Sequence, residues 1–178
     1  APWYDKHLES DKDTYHEKVV YPNMLRIIGD LSKKRVLDVA CGQGQFSWML
    51  HNEGAYVTGA DIGKELIAIA KKKYVSATPG QLTYLVSNAE DVSKISRQPY
   101  DVIVCILALQ NIENLSKTIH GISSLLVPGG RFIFVLNHPS FRIPRASSWG
   151  YDEATQTQYR RVDAYMLESK VKIDMTPG

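Results

Sequence analysis

Short apolar runs alternate with amphipathic stretches along this chain, and the alternation predicts an α/β fold. The apolar runs have the length and the β-branched content of buried strands, and they cover residues 35–40, 55–60, 82–87, 100–106 and 131–136. Between them, apolar residues recur every three or four positions and predict helices over 45–52, 63–74 and 111–126. Strands that alternate with helices favour a parallel sheet with helices on its faces.

The two ends of the chain differ from this central pattern. Residues 1–34 are predicted as an N-terminal cap of two short helices, and residues 35–136 as the α/β core. In residues 137–178, basic and aromatic residues interleave without a strict period. This last segment is either a substrate lid or a partly ordered connector with solvated charges, and one further strand is expected over 165–175. A chain of 178 residues is long enough for one domain with a real core.

Composition excludes several classes of protein. A hydrophobic content of 44% and a charged content of 22% are typical of a globular protein, and a net charge of +2 argues against a large nucleic-acid footprint. No apolar run approaches the roughly 18 residues of a membrane span, and the N-terminus does not resemble a signal peptide. The two cysteines, Cys41 and Cys105, fit no metal spacing and are expected to be reduced thiols in the cytoplasm.

A glycine-containing turn follows the first predicted strand. Gly42 and Gly44 let a ligand approach the backbone closely, and the helix that follows leaves N–H groups free to bind it. A dinucleotide fingerprint would need a third glycine where Ser47 stands. The strand also carries an acid, Asp38, which would repel a pyrophosphate and suits a cation. These features disfavour a nicotinamide-dependent oxidoreductase.

The segment V-L-D-V-A-C-G-Q-G at residues 36–44 resembles motif I of the class I S-adenosylmethionine-dependent methyltransferases, hydrophobic-L-D-x-G-C-G-x-G. Ala40 replaces the first glycine of that motif. Residues 88–91, N-A-E-D, resemble the D-A-E-D-L segment of the family, and residues 125–132 resemble its L-L-x-P-G-G-x-hydrophobic turn. The resemblance implies a Rossmann-like, doubly wound sheet of order 3-2-1-4-5. The family's sixth and seventh strands would be reduced or missing.

The same resemblance implies S-adenosylmethionine as cofactor, with S-adenosylhomocysteine as product. Asp61 at the end of the second strand would hold the ribose diol, and Ile62 would lie against the adenine. Asn88 either reads the adenine amino group or caps a short helix near Ser93. Tyr15 either closes over the methionine end or packs between helices. The predicted cofactor-binding residues are Tyr15, Asp38, Ala40, Cys41, Gly42, Gly44, Phe46, Asp61, Ile62, Asn88, Ala89, Glu90, Ile106 and Leu107.

The predicted function is methyl transfer by in-line displacement to a small-molecule acceptor, without a metal. A base is needed only for acceptors that are protonated at neutral pH. His138 is the first candidate and His16 the second, while Gln110 is either a polar group near the chemistry or a helix-start residue. Residues expected to contact the substrate are Arg142, Arg145 and Tyr159.

Several alternatives stay open at this stage. An RNA acceptor such as tRNA is the second choice, and a non-catalytic S-adenosylmethionine-binding protein is the rival class. The residues after the fourth strand, L-A-L-Q at 107–110, lack the N/D-P-P-Y motif of enzymes that methylate amino groups of DNA adenine or protein glutamine. A homodimer through the open edge of the fifth strand is also predicted, since an unpaired edge must be covered or paired.

Overall fold

The computed structural model describes residues 15–138, 146–165 and 167. Contacts along the chain divide it into two compact units, residues 1–136 and residues 137–178. The N-terminal cap is described only from Tyr15 onward. The substrate candidates Arg142 and Arg145 lie outside the described residues, as does most of the strand expected over 165–175.

The first unit contains a five-stranded parallel sheet of order β3-β2-β1-β4-β5. The predicted fold class and strand order are therefore confirmed. The strands are β1 (Arg35–Val39), β2 (Tyr56–Asp61), β3 (Leu82–Val86), β4 (Tyr100–Ile106) and β5 (Leu126–Val135). β1 and β4 occupy the middle of the sheet, and both are buried on their two faces, which explains their continuous apolar character.

Helices flank this sheet. A π-helical turn, His16–Val20, leads into α1 (Tyr21–Ile28), and α2 (Gln45–Asn52), α3 (Lys64–Lys73) and α4 (Leu115–Ser124) follow the strands. Two 3-10 helices cover Ala89–Lys94 and Leu109–Asn111. Within the part of the chain that the structure describes, no helix combines the length and the apolar character needed to cross a membrane.

Two apolar clusters fill the two sides of the sheet. On one side, Met24 of α1 and Leu50 of α2 pack with Val36 and Val102. On the other side, Ile122 of α4 packs with the β-strand residues Leu37 and Ile103. Because residues adjacent along a strand point to opposite faces, Val36 and Leu37 belong to different clusters. The buried layers hold the carboxyl ends of β1 and β4 side by side.

Two boundaries differ by more than two residues from the sequence-based expectation. Helix α4 begins at Leu115 rather than near residue 111, because the side chain of Asn114 accepts a hydrogen bond from the Lys117 amide and caps the first turn. Strand β5 begins at Leu126 and contains the predicted Pro-Gly-Gly turn as a bulge. Tyr100 pairs with Leu126 and Val102 pairs with Arg131, so residues 127–130 loop out of register.

The second unit contains an antiparallel hairpin of β6 (Ser147–Asp152) and β7 (Thr157–Val162). These two strands form a small sheet of their own. The guanidinium of Arg160 lies 5.1 Å from the centre of the Trp149 ring, its cross-strand partner. Asp152 accepts hydrogen bonds from the amides of Ala154 and Thr155, which tightens the turn between the strands.

Candidate cofactor site

A cavity of about 560 Å³ opens in the first unit where the chain leaves β1 and β4. The carboxyl ends of parallel strands are the edge at which this kind of sheet binds ligands. The glycine-containing turn, the π-helical turn and one face of α3 supply most of its wall. Its lining residues are His16, Glu17, Tyr21, Asp38, Ala40, Cys41, Gly42, Gln43, Gln45, Phe46, Leu66, Lys73, Tyr74, Ile106 and Leu107.

The carboxylate of Asp61 holds the glycine-containing turn in place through hydrogen bonds to backbone amides. One oxygen accepts the Gly42 amide at 2.9 Å and the other accepts the Gly63 amide at 2.8 Å. Gly42 and Gly44 both have positive φ, 56° and 80°, as the tight turn requires. Asp61 is buried and does not itself line the cavity. Each carboxylate oxygen has a second lone pair, so Asp61 can still accept further hydrogen bonds.

Two residues at the cavity rim adopt a backbone conformation that disfavours a side chain. Ala40 has φ of 59° and Leu107 has φ of 53°. The left-handed region costs a residue with a side chain roughly 1–2 kcal/mol. Ala40 stands where motif I has glycine, so the turn keeps the conformation of the motif at that cost. Strained backbone of this kind clusters at ligand sites.

Asp38 is the buried acid of the site, with 2% of its surface exposed. Ser47 donates a hydrogen bond of 2.6 Å to its Oδ2. Burial, together with a smaller effect of the nearby charge of Asp61, raises the pKa of Asp38 to about 7, although the Ser47 hydrogen bond acts in the opposite direction. A buried carboxylate with one neutral partner favours a cationic ligand, since a positive charge would stabilise its ionised form.

Aromatic side chains form the N-terminal wall of the cavity. The rings of Tyr21 and Phe46 stack with centroids 5.0 Å apart, and the His16 ring lies 6.0 Å from that of Tyr21. Gln45 donates a 2.6 Å hydrogen bond to Glu17, which ties the π-helical turn to the start of α2. Tyr15 is 67% exposed and does not line the cavity. Tyr21 lines the cavity instead, and the role assigned to Tyr15 remains a prediction.

The predicted cofactor residues fall into two groups. Those that line the cavity are Asp38, Ala40, Cys41, Gly42, Phe46, Ile106 and Leu107. Those outside its lining are Tyr15, Gly44, Asp61, Ile62, Asn88, Ala89 and Glu90. Ile62 is 68% exposed and free to cover a planar ring. The side-chain oxygen of Asn88 accepts the Glu90 amide at 3.0 Å, so it caps the first 3-10 helix, the alternative left open by the sequence.

The predicted catalytic and substrate residues lie apart from this lining. Gln110 belongs to the second 3-10 helix and donates a 2.6 Å hydrogen bond to the Leu107 carbonyl. His138 belongs to the second unit, where its ring stacks on Tyr165. Tyr159 lies on β7 with its ring over Gly150. The roles assigned to these residues remain predictions.

Sequence reasoning missed several lining residues. Leu66 and Lys73 lie on α3 seven positions apart, a spacing that places both on one helix face. Tyr74 follows them and stacks on Trp48 of α2. The helical period could have shown that Leu66 and Lys73 share a face, but it could not show that this face borders the turn after β1. Gln43 and Gln45 could have been found as the polar residues that flank Gly44.

Replacing Asp61 by alanine should weaken binding of S-adenosylhomocysteine by about 1–3 kcal/mol, because the hydrogen bonds to the turn amides would be lost together with the one predicted to the ribose. Calorimetric titration of the wild type and Asp61→Ala measures this change. Asp101 offers a matched control, since its carboxylate accepts the Arg35 amide at the other end of β1. Equal affinity in wild type and Asp61→Ala would remove Asp61 from the site.

Comparison with known proteins decides the family. Residues 37–134 match the family model described as a methyltransferase domain. The chain belongs to the class I S-adenosylmethionine-dependent methyltransferases. It is 36% identical over 138 residues to the ubiquinone biosynthesis O-methyltransferase of Vibrio vulnificus strain YJ016, an alignment that covers 74% of this chain and 56% of the relative. The chain thus spans little more than half the length of the curated relatives it matches.

Solved methyltransferase structures share the fold. An S-adenosylmethionine-dependent methyltransferase from Mesorhizobium loti superposes with a TM-score of 0.68 at 26% identity, covering 85% of this chain and 68% of that one. A second structure, described as a putative S-adenosylmethionine-dependent methyltransferase from Listeria monocytogenes, gives a TM-score of 0.63 at 30% identity over 85% of this chain and 67% of the other. The methyltransferase region includes the last three residues of β1, the glycine-containing turn and all of the cavity-lining residues from Asp38 onward.

Proposed function

We propose that this chain transfers a methyl group from S-adenosylmethionine to a hydroxyl oxygen of a small molecule. The observation that carries the proposal is the buried Asp38 in the wall of a cavity formed by the glycine-containing turn. S-adenosylmethionine carries an ammonium and a sulfonium group and no phosphate. The acids of this site, Asp38 in the wall and Asp61 behind the turn, match that charge.

Different residues around the turn would contact different parts of the cofactor. Asp38 would pair with the ammonium group, and the backbone at Ala40 and Gly42 would face the methionine chain. Asp61 would accept from the ribose hydroxyls and Ile62 would cover the adenine. The stacked pair Tyr21 and Phe46 would exclude water from the methyl group. Bound in this way, the cofactor supplies an electrophilic methyl group, and the chain orients the reactants and excludes water from the site.

The relatives point to the class of acceptor. The relative from Vibrio vulnificus is named a ubiquinone biosynthesis O-methyltransferase. A hydroxyl oxygen on a small molecule is therefore the acceptor that we propose. The low net charge of +2 gives no support to an RNA acceptor.

Calorimetric titration with S-adenosylmethionine and S-adenosylhomocysteine, with NAD as control, tests the first half of this proposal. We expect micromolar binding of the two adenosyl ligands and no binding of NAD. Turnover with catechols and phenols, followed as release of S-adenosylhomocysteine, tests the second half. Binding without turnover would favour a non-catalytic S-adenosylmethionine-binding protein, and binding of NAD alone would overturn the proposal.

Two further properties belong to the proposal. We place the protein in the cytoplasm, which agrees with Cys41 and Cys105 both being free thiols. We also infer a homodimer through β5, which among the described residues pairs only with β4. Sedimentation at micromolar concentration tests the second of these, and a monomer would overturn it.

A further inference from the structure

Methylation of a phenolic or catechol oxygen needs a group that takes the hydroxyl proton. Such hydroxyls have a pKa near 10, so the nucleophilic oxyanion is scarce at neutral pH. A positioned base supplies roughly 10²–10⁴-fold in rate. The need for such a base rests on the proposed function. The titratable side chains that line the cavity are His16, Glu17, Tyr21, Asp38, Cys41, Lys73 and Tyr74.

Three of these residues, two acids and one thiol, are poor candidates for the general base. Asp38 is committed to Ser47 and faces the position proposed for the ammonium group. Glu17 accepts a hydrogen bond from Gln45, and carboxylates are intrinsically weaker bases than imidazole. Burial raises the pKa of Cys41 far above its usual range, so its thiol keeps the proton.

The remaining non-histidine residues are one lysine and two tyrosines. A lysine ammonium and a tyrosine phenol both hold their proton at neutral pH. Lys73 also lies over the ring of Tyr74, 5.4 Å from its centroid, and Tyr21 is stacked on Phe46. None of these side chains presents a lone pair suited to take a proton from an acceptor hydroxyl.

His16 differs from all of them. Its ring is half-buried in the cavity wall, and burial lowers its pKa below the usual 6.5, so the imidazole is neutral at pH 7. Among residues 15–138 and 146–165, no hydrogen bond or ion pair engages its ring nitrogens. Its only ring contact there is the tilted one with Tyr21, at 6.0 Å and 52°. A neutral imidazole with an available lone pair therefore lies in the wall of the same cavity as the rim residues Ile106 and Leu107.

We propose that His16 is the general base that deprotonates the acceptor hydroxyl. A ring nitrogen of His16 takes the hydroxyl proton as the acceptor oxygen forms its bond to the methyl carbon. The carbon–sulfur bond breaks, and its electron pair remains on sulfur in S-adenosylhomocysteine. The imidazolium then returns its proton to solvent. Charge and atoms balance without an oxidant or a metal.

Acceptors of different acidity give a sharp test. At pH 8 most catechol is protonated, whereas most 4-nitrocatechol is ionised and needs no base. His16→Asn should lower kcat with catechol about 100-fold or more, and kcat with 4-nitrocatechol less than about 5-fold, because only the first acceptor depends on proton removal. Affinity for S-adenosylhomocysteine, measured for the same variant, separates a loss of proton removal from a loss of cofactor binding. His138→Asn is the comparison variant, because the sequence names that residue as the rival base.

Three readouts separate a base from a merely structural residue. The acid limb of the kcat/KM profile for catechol should be lost in His16→Asn, and added imidazole should restore part of the rate to His16→Ala. In proton NMR, the imidazole signals missing from the spectrum of His16→Asn should shift when 4-nitrocatechol joins the wild-type complex with S-adenosylhomocysteine. Thermal unfolding of each variant checks that the fold is kept.

The outcomes are distinct. A wild type that methylates neither catechol would overturn O-methylation of such acceptors, and the base role with it. An active wild type with an unimpaired His16→Asn would overturn the role of His16 alone. Equal losses with both acceptors would show that His16 positions the acceptor and does not remove its proton. A catechol-specific loss in His138→Asn and not in His16→Asn would transfer the role to His138.

Discussion

Gly44→Ala is expected to lower the free energy of unfolding by about 2–5 kcal/mol, from steric overlap combined with left-handed backbone strain. A Cβ at this position would lie 2.6 Å from Cε1 and 2.7 Å from the hydroxyl oxygen of Tyr84. The Tyr84 ring cannot move away freely, because it is buried between β3 and α3 and its hydroxyl donates to the Gly44 carbonyl at 3.0 Å. Denaturation in urea, followed by circular dichroism, measures the loss.

Gly80→Ala provides a control with the same backbone strain. Gly80 has φ of 79°, against 80° for Gly44, but its Cβ would meet no atom within 4 Å. We expect it to cost only the conformational term, roughly 1–2 kcal/mol. The difference between the two variants isolates the overlap with Tyr84. Equal losses would show that the ring does not restrict position 44, and a Gly44→Ala protein as stable as wild type would contradict the geometry of the turn.

The strands of the core could be predicted because buried strands have a recognisable pattern of apolar residues in the sequence. β1 and β4 are covered on both faces and therefore read as continuous apolar runs, and helix α2 begins and ends where the pattern predicts. Periodicity alone gives alternating strands and helices without their order. The order 3-2-1-4-5 came from the resemblance of the turn at Cys41–Gly44 to motif I, and the sheet confirms it.

The hairpin of the second unit has no such apolar pattern. Trp149, Tyr151 and Tyr159 are all largely exposed, so neither strand shows a buried apolar face. Its turn is defined by hydrogen bonds from two amides to Asp152 and by positive φ at Gln156, and glutamine is not a residue that predicts such a conformation. A sequence pattern built on burial cannot find an element whose side chains remain in solvent.

The site residues that belong to the turn itself could be predicted from the sequence. Those that tertiary packing brings to the cavity could not. Glycines in a tight turn and an acid after a strand follow from local chemistry, and the structure places Asp38 and Gly42 in the cavity wall. The side chain that bonds Asp38 is Ser47, which the sequence offered only as a missing glycine. Whether Tyr15 or Tyr21 faces the cavity depends on the rotation of the first helix, and a short amphipathic segment does not determine that.

Binding of S-adenosylhomocysteine should weaken about tenfold for each pH unit below 7, because the protonated Asp38 must ionise before it can pair with the ligand ammonium. In the free protein, burial and the neighbouring Asp61 raise the pKa of Asp38 to about 7. Between pH 7.5 and 5.5 the dissociation constant should therefore rise roughly 20- to 30-fold. Titration calorimetry in buffers of different ionisation enthalpy also counts the proton released, which should approach one at pH 6.

Asp38→Asn separates this effect from other titrations in the cavity. The amide keeps the shape and can still accept from Ser47, so the variant should bind more weakly but with a flat dependence on pH. His16 also titrates in the cavity wall, and its protonation on acidification would add a cation, so His16→Asn must keep the wild-type slope if Asp38 is responsible. A wild-type affinity that does not change with pH, or an Asp38→Asn protein that retains the slope, would exclude Asp38 as the partner of the ammonium.

The carboxyl group of Asp38 should also make the free energy of unfolding depend on pH when no ligand is bound. The folded pKa of Asp38, about 7, lies above its ordinary value of 3.8, so its contribution is fully present below that value and is lost as the pH rises through 7. Relative to Asp38→Asn, the unfolding free energy of the wild type should fall by roughly 4 kcal/mol between pH 4 and 8. Ligand should reverse this trend, because an ammonium beside the ionised carboxylate removes the cost of its burial. Urea unfolding at both pH values, with and without S-adenosylhomocysteine, tests the sign, and a loss of equal size in Asp38→Asn would assign it to other groups.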